Sequence, residues 1–168
     1  MVECLVVVVL IGLIGAATVP PVATALERSR TLAAARFLQS RMMLARAQAV
    51  SRGTVVAIRL TGQPGDTTLS TVVDGNRNGV LQADITSGVD VPAGTPAALA
   101  ALFRGISFSP VSASGTVLSF SPLGTSSSGT ITVDGRDGAR FAVRLLGATG
   151  RARVLRYDWV DGSWSEVL

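Results

Sequence analysis

The strongest constraint on this chain is an uncharged apolar run close to its start. Residues 4–19 read CLVVVVLIGLIGAATV, 16 residues without a charge, and Pro20 and Pro21 follow. As a helix, residues 4–23 would span roughly 30 Å at ~1.5 Å per residue, close to the hydrocarbon thickness of a bilayer. A secretory signal peptide is the alternative, but it would begin with basic residues and end in a small-residue cleavage site. We therefore predict a membrane-spanning half-helix over residues 1–23.

Glu3 lies at the mouth of this half-helix. A carboxylate there is costly in a membrane unless it finds a partner. Two interpretations stay open: Glu3 lies in the headgroup layer without a role, or it pairs with a positive charge on a neighbouring subunit. At the other end, Pro20 and Pro21 each remove a backbone donor, so we expect a kink or a locally melted stretch.

Residues 24–52 predict a second, amphipathic half of the same helix. Alanine, leucine, methionine, glutamine and arginine favour helix here. One apolar stripe recurs at helical spacing, and we expect it to pack on the protein's own sheet; its members are Ala34, Leu38, Met42, Ala45 and Ala49. Gly53 then provides a C-cap.

Beyond Gly53 the apolar period changes from helical to about two, which is typical of strands. Asn78-Gly79, Asp134-Gly135, Asp137-Gly138 and Asp161-Gly162 are turn signals. The fold class predicted is α+β: one long N-terminal helix packed on an antiparallel β-sheet domain. The globular domain would cover residues 24–168 and its β-part residues 53–168. The expected strands are Val55–Leu60, Thr68–Val73, Gly105–Ser109, Thr116–Ser121, Gly129–Val133, Ala139–Leu146 and Arg153–Trp159, with a closing hairpin around Trp164.

The composition removes whole classes of enzyme. All 15 basic residues are arginine, histidine is absent, and the single cysteine is Cys4 in the apolar run. Ser-His-Asp and Cys-His sites therefore lack their base, and zinc sites of His and Cys cannot form. Paired carboxylates remain possible, but no motif frames such a pair. We predict no catalytic residue and no enzymatic activity.

A weak calcium signal lies in the middle of the chain. Asp74, Asn76 and Asn78 followed by a glycine match the first half of a calcium loop, and Asp84 is the nearest later acid. The final acid is one position early, since Ile85 occupies the twelfth place. An Asn-Gly hairpin turn explains the same residues. Calcium therefore stands as one expectation beside the hairpin turn, and no other cofactor is expected.

The N-terminal residues resemble the processed start of the type IV pilin superfamily, which includes the pseudopilins of type II secretion. That start reads like Phe-Thr-Leu-Ile-Glu, then a hydrophobic run, then a helix-breaking proline. Val2-Glu3 corresponds to the Ile-Glu, Pro20 corresponds to the proline, and 16 residues lie between them. The later segments LAAARFLQSRMMLARAQAVSRGTVVAIRL and FSPLGTSSSGTITV are similar to the GspH/FimT group of minor pseudopilins and minor pilins.

This resemblance implies a structural subunit. It would be a single-pass inner-membrane protein with a periplasmic domain that joins other pilins or pseudopilins in a filament, on an inner-membrane assembly platform. In the filament core, Glu3 would neutralise the N-terminal amine of an adjacent subunit, and Pro20 and Pro21 would let the helix bend during transfer. Met1 falls at the family's third mature residue, so cleavage by prepilin peptidase and N-methylation are expected of a longer precursor.

A second function follows from the end of the chain. Gly150-Arg151-Ala152-Arg153 resembles a GRxR element that looks like the DNA-contacting motif of DNA-uptake members of this group. Arg151 and Arg153 would project from one face of a strand, with Arg156 nearby, and such a patch suits phosphates without reading sequence. The alternative is that these arginines pair with Asp158, Asp161 or Glu166.

Overall fold

The computed structural model describes residues 2–63, 65–111 and 117–167, and it leaves the side chains of residues 4–6, 12–21 and 111 undescribed. Helix α1 covers Val2–Arg52. It ends at Gly53, whose φ of 62° is left-handed, as a C-cap glycine requires. Helix α1 continues through positions 20 and 21, so the predicted local melting is not found. Proline itself has a helical φ, and the turns on either side keep the helical backbone.

The rest of the described chain forms short strands and two short helices. The predicted strands are present within a few residues of their expected ends, whereas both short helices and two strands of two residues each were not expected. In chain order the elements are β1 (Val56–Thr61), β2 (Thr68–Val73), α2 (Gln82–Ser87), β3 (Val91–Pro92), β4 (Ala97–Ala98), α3 (Leu99–Leu102), β5 (Ser107–Val111), β6 (Val117–Phe120), β7 (Gly129–Asp134), β8 (Arg140–Leu146), β9 (Arg151–Asp158) and β10 (Ser163–Glu166).

These strands form two antiparallel sheets. The first sheet has the order β3-β2-β1-β6, and β4 also pairs with β2. The second sheet has the order β10-β9-β8-β7-β5. The predicted α+β class with antiparallel pairing is confirmed, but its division into two sheets was not predicted. The turns at Asp137-Gly138 and Asp161-Gly162 close the β7–β8 and β9–β10 hairpins, as expected.

The second half of α1 packs against both sheets. All five members of its predicted apolar stripe are buried, and none is more than 1% exposed. They join a single core with the largest buried side chains of the two sheets, Phe108, Phe120 and Phe141. The prediction that this stripe packs on the protein's own sheet is confirmed.

Strand β9 runs antiparallel to the second half of α1. At one end, the Gln39 side-chain amide donates to the carbonyl oxygen of Ala152 at 2.9 Å. At the other end, Arg156 and Arg28 line the same groove. We call the end at which β9 begins the Arg46 end of the domain, because Arg46 is the helix residue nearest to Gly150 there. We call the opposite end the Arg28 end. Arg28 and Arg46 are ~27 Å apart along the helix at ~1.5 Å per residue, which matches the length of eight strand residues.

At the Arg46 end, the helix is bonded to the loop between β6 and β7. The Arg46 Nε donates to the carbonyl oxygen of Gly124 at 2.8 Å. Gly150, with a φ of 59°, packs directly on this pair. A Cβ atom at position 150 would lie 2.3 Å from the Gly124 carbonyl oxygen and 2.9 Å from the Arg46 Nε. The glycine of the GRxR element therefore has a packing role.

Gly150→Ala should destabilise the domain more than Gly53→Ala does. Both glycines have positive φ, so an alanine costs roughly 1–2 kcal/mol at either place. A Cβ at position 53 meets nothing within 4 Å, so only Gly150→Ala adds a clash. The midpoint of thermal unfolding of the full chain in mild detergent should fall by ~2–8 °C for Gly53→Ala and by a clearly larger amount for Gly150→Ala. Equal shifts would contradict the packing role.

Candidate functional surfaces

A described stretch in the first half of α1 exposes apolar side chains around its whole circumference. Residues 7–11 are five consecutive aliphatic residues that are each 53–65% exposed. Consecutive helical residues lie about 100° apart, so no single face covers them. A helix that is apolar all round is normally buried in protein or in a membrane.

Glu3 lies in the first turn of α1 with its side chain exposed. Within the described residues it has no salt-bridge partner in the same chain. The helix dipole favours a carboxylate at this end. The position therefore leaves the carboxylate available to a second molecule.

The prediction of a membrane span rests largely on residues whose side chains the structure does not describe, namely 4–6 and 12–21, including Pro20 and Pro21. Among the helices that could be searched, none combines the length and mean hydropathy that a bilayer span requires. The half-helix boundary near residue 23 accordingly stays a prediction.

Arg151 and Arg153 are both exposed on the outer face of the second sheet, away from α1. The register places Arg144 of β8 directly opposite Arg153, and Leu146 opposite Arg151. Arg144 therefore lies beside both arginines, since diagonal neighbours on one face are ~7–8 Å apart. We call Arg144, Arg151 and Arg153 the arginine patch. Two like charges directly opposite each other are unfavourable unless an anion lies near them.

One acid partly neutralises the arginine patch. The Arg153 guanidinium contacts the Glu166 carboxylate at 3.1 Å, with both side chains close to half exposed. An exposed pair of this kind contributes ~0–1 kcal/mol. For Arg153 the structure thus shows the alternative, an ion pair with Glu166 of the closing hairpin. Arg144 and Arg151 have no ion pair within the described part of the chain.

Arg156 does not belong to the arginine patch. It is an odd number of residues from Arg151 and Arg153, so the strand alternation turns its side chain towards α1. It lines a groove with Arg28 and Leu32 of the helix. Arg156 therefore lies close to the GRxR element along β9 but on the opposite face of the sheet. Arg144 was missed, although the β8–β9 hairpin and the two-residue period would have identified it.

The loop after β2 is held by two buried aspartates. Asp74 accepts hydrogen bonds from the backbone N–H groups of Asn76, Arg77 and Gly79 at 2.7–3.1 Å. Asp90, only 1% exposed, accepts from the N–H groups of residues 75 and 81 at 3.0 Å each. The loop leads into α2, so the predicted Asn78-Gly79 hairpin was wrong: the carboxylates determine the path of the backbone.

The calcium candidates lie in this loop, but their oxygens do not converge. The side-chain amide nitrogens of Asn76 and Asn78 donate to one Asp84 oxygen at 3.2 and 2.9 Å. A calcium ion would need the carbonyl oxygens of these side chains instead. Both oxygens of Asp74 are occupied by backbone N–H groups. In the described residues, no group of three or more acidic, histidine or cysteine side chains could hold a metal ion. Calcium stays an untested prediction.

Comparison with known proteins identifies the family. The profile of the family described as type II transport protein GspH matches residues 34–154, well over half of the chain. The chain belongs to the GspH family. This match lies inside the predicted globular domain and includes helix α1 from the apolar stripe onward. The predicted resemblance to type IV pilin-like proteins of the GspH type is confirmed.

Two solved structures share the fold of this GspH-family chain. The minor pseudopilin EpsH from the type 2 secretion system of Vibrio cholerae is 12% identical, with a TM-score of 0.56 over 76% of this chain and 97% of that one. The type IV minor pilin FimU of Pseudomonas aeruginosa is 21% identical, with a TM-score of 0.53 over 75% of this chain and 88% of that one. No curated protein sequence matches the chain significantly.

Asp90→Asn should destabilise the domain by about 1–3 kcal/mol, because one of two backbone N–H groups loses its acceptor in a buried site. The exposed Asp66→Asn makes the same change of charge and should stay within ~0.5 kcal/mol of the wild type. Thermal unfolding of the full chain in mild detergent measures both. Equal effects of the two variants would contradict the structural role of Asp90.

Repeating the wild-type measurement in calcium and in a chelator tests the calcium hypothesis, since a bound ion raises the midpoint of thermal unfolding.

Proposed function

We propose that this chain is a structural minor subunit of a type II secretion pseudopilus or a type IV pilus. The observation that carries the proposal is the contrast between the two halves of α1. The stripe of the second half is buried against its own sheets, whereas residues 7–11 of the first half are uncovered on every side. The GspH family match and the shared pilin-like fold support this proposal.

The exposed apolar residues 7–11 need an apolar environment. Covering the five residues 7–11 would stabilise the chain by roughly 1 kcal/mol per residue, since each is about half exposed. Lipid provides that cover while the subunit is stored, and neighbouring helices provide it in a filament. The proposed localisation is therefore the inner membrane, in a single pass, with the globular domain in the periplasm or on an extracellular filament.

Glu3 gives the assembly step its specificity in this proposal. A lone carboxylate among packed apolar helices is much more costly than one that is paired and hydrogen-bonded. The N-terminal amine of an adjacent subunit supplies the opposite charge. The remaining proposed partners are the assembly platform of the inner membrane and, for a longer precursor, the prepilin peptidase.

An enzymatic role has little support. The sequence provides no histidine and no lysine, and its one cysteine lies in the apolar run. The GspH family is one of pilin-like structural proteins. We accordingly propose that the chain acts only through assembly and binding.

A second candidate function is DNA binding, and the arginine patch favours it. Three guanidinium groups lie on one exposed sheet face, and two of them are directly opposite each other. Among the described residues, only one of the three is paired with an acid. DNA phosphates would relieve the repulsion between Arg144 and Arg153. The chain would then be a DNA-binding minor pilin that serves DNA uptake.

Glu3→Ala and Glu3→Val should block filament incorporation and leave membrane insertion intact. The apolar run that holds the chain in lipid is unchanged, whereas the charge that pairs with a neighbouring subunit is lost. The measurement compares the membrane fraction with purified filaments from cells that make each variant. Glu27→Ala, on the same helix outside the apolar run, is the matched control. Wild-type amounts of the Glu3 variants in filaments would refute the assembly role.

Arg151→Gln with Arg153→Gln should weaken DNA binding about equally for unrelated sequences. Losing two phosphate contacts should lower the slope of log K against log salt by about 2. Arg156→Gln removes a charge from the same strand but from the other face, so it should leave affinity unchanged. Glu166→Gln frees Arg153 and should strengthen binding. An electrophoretic mobility shift assay of the full chain in mild detergent measures the wild type and these three variants. The absence of a shift for the wild type at low salt would exclude DNA binding.

A further inference from the structure

The Arg28 end of the domain carries an exposed aromatic hairpin tip next to the point where α1 enters the domain. Strand β9 runs towards this end, and the β9–β10 turn follows it. Trp159 is 62% exposed and Val160 is 92% exposed at the tip of the turn. Both residues line a pocket together with Arg28 of the helix. A large apolar tip is therefore fixed beside the helix, at the end from which the apolar half-helix emerges.

Trp159 is held in its exposed position by three contacts. Its indole N–H donates to the carbonyl oxygen of Gly138 at 3.0 Å. Its ring packs edge-on against Tyr157, with the ring centroids 4.7 Å apart. The Arg140 guanidinium lies 5.2 Å from its ring centroid. The indole therefore loses little conformational entropy when its free face binds a partner.

A groove of about 630 Å³ lies beside this tip, between α1 and the second sheet. Arg28 and Arg156 stand on its two walls, and neither makes an ion pair with any described residue. Its apolar lining includes Leu32, Phe141 and Val167. Two free guanidinium groups above apolar walls suit an anionic group that is attached to an alkyl chain.

The height of the groove along α1 matches the headgroup layer of a bilayer. The predicted apolar half-helix ends at Ala23, and Thr24 and Ala25 already line the groove. Arg28 lies ~7.5 Å beyond Ala23 at ~1.5 Å per residue. The polar layer on one side of a bilayer is roughly 5–8 Å thick. Tryptophan is enriched in this layer, where its ring is half apolar and half polar.

We propose that the Arg28 end binds the surface of the phospholipid bilayer in which the half-helix is stored. Trp159 and Val160 enter the interfacial layer, and Arg28 and Arg156 bind the phosphate of one headgroup between them. This contact fixes how the domain sits on the membrane before assembly. The inference rests on the membrane storage in the proposed function and adds a second attachment to it.

Nearby carboxylates determine which lipids suffice. Asp137 and Asp158 each accept a backbone N–H of their own turn, from Ala139 at 3.2 Å and from Val160 at 2.9 Å. Asp161 lies exposed at the tip. These three acids outnumber Arg28 and Arg156, so attraction to a negatively charged membrane is weak. The phosphate group common to all phospholipids is the expected ligand, and neutral phosphatidylcholine should bind.

The two tryptophans allow a direct test with the full chain in phosphatidylcholine vesicles. Trp164→Phe leaves Trp159 as the only indole, and Trp159→Phe leaves Trp164 on the outer sheet face. Lipid brominated near the top of its acyl chains should quench the fluorescence of Trp159 at least about twice as strongly as that of Trp164, because quenching requires contact with the interface. Adding Arg28→Gln with Arg156→Gln should remove most of this difference. Arg151→Gln with Arg153→Gln, at the other end of β9, should not change it.

Flotation of the same vesicles separates the proposed surface contact from the membrane storage on which it rests. A chain that floats while Trp159 stays unquenched would overturn the surface contact and leave membrane storage intact. Quenching that survives loss of Arg28 and Arg156 would overturn the phosphate site. Shielding of Trp159 from aqueous iodide only in filaments, without bromine quenching, would assign the tip to a neighbouring subunit. A chain that does not float would contradict membrane storage itself.

Discussion

The packing of the second half of α1 against both sheets is the contact on which the rest of the domain depends. The buried stripe from Ala34 to Ala49 is built of small and flexible side chains, so both sheets approach the helix closely. Phe108, Phe120 and Phe141 fill the space between the layers. Neither sheet could bury its inner face without the helix, because an isolated sheet with one apolar face needs a second layer.

The antiparallel course of β9 along this helix gives the domain two distinct ends. At one end Arg46, Gly124 and Gly150 lock the helix to the loop between the sheets. At the other end Arg28 faces Arg156 across an open groove. Alternation along the same strand then divides its arginines between faces. Strand β9 thus places the proposed DNA contact and the proposed lipid contact on opposite faces of the sheet and towards opposite ends of the domain.

The sequence predicted elements whose pattern is local and missed what depends on distant contacts. The helical stripe and the two-residue periods identified α1 and most strands, since each is determined by side chains a few residues apart. The loop after β2 could not be predicted in this way, because Asp90 determines its path across fifteen residues. The groove beside Arg156 shows the same limit: strand alternation gives the face of Arg156, but only the packing of α1 on the sheet places Arg28 next to it. Arg144, in contrast, follows from the β8–β9 hairpin and the two-residue period.

The unbroken course of α1 connects these features to function. A flexible linker between the half-helix and the domain would let the domain turn freely on a membrane, and no single end would face the lipid. Here the backbone remains helical from Val2 to Arg52, so the buried stripe and the exposed run belong to one element. Any apolar environment that takes up residues 7–11 therefore also fixes the height of Arg28. The same continuity means that a filament core receiving the half-helix must also receive the domain in one orientation, which is what a helical assembly of identical contacts requires.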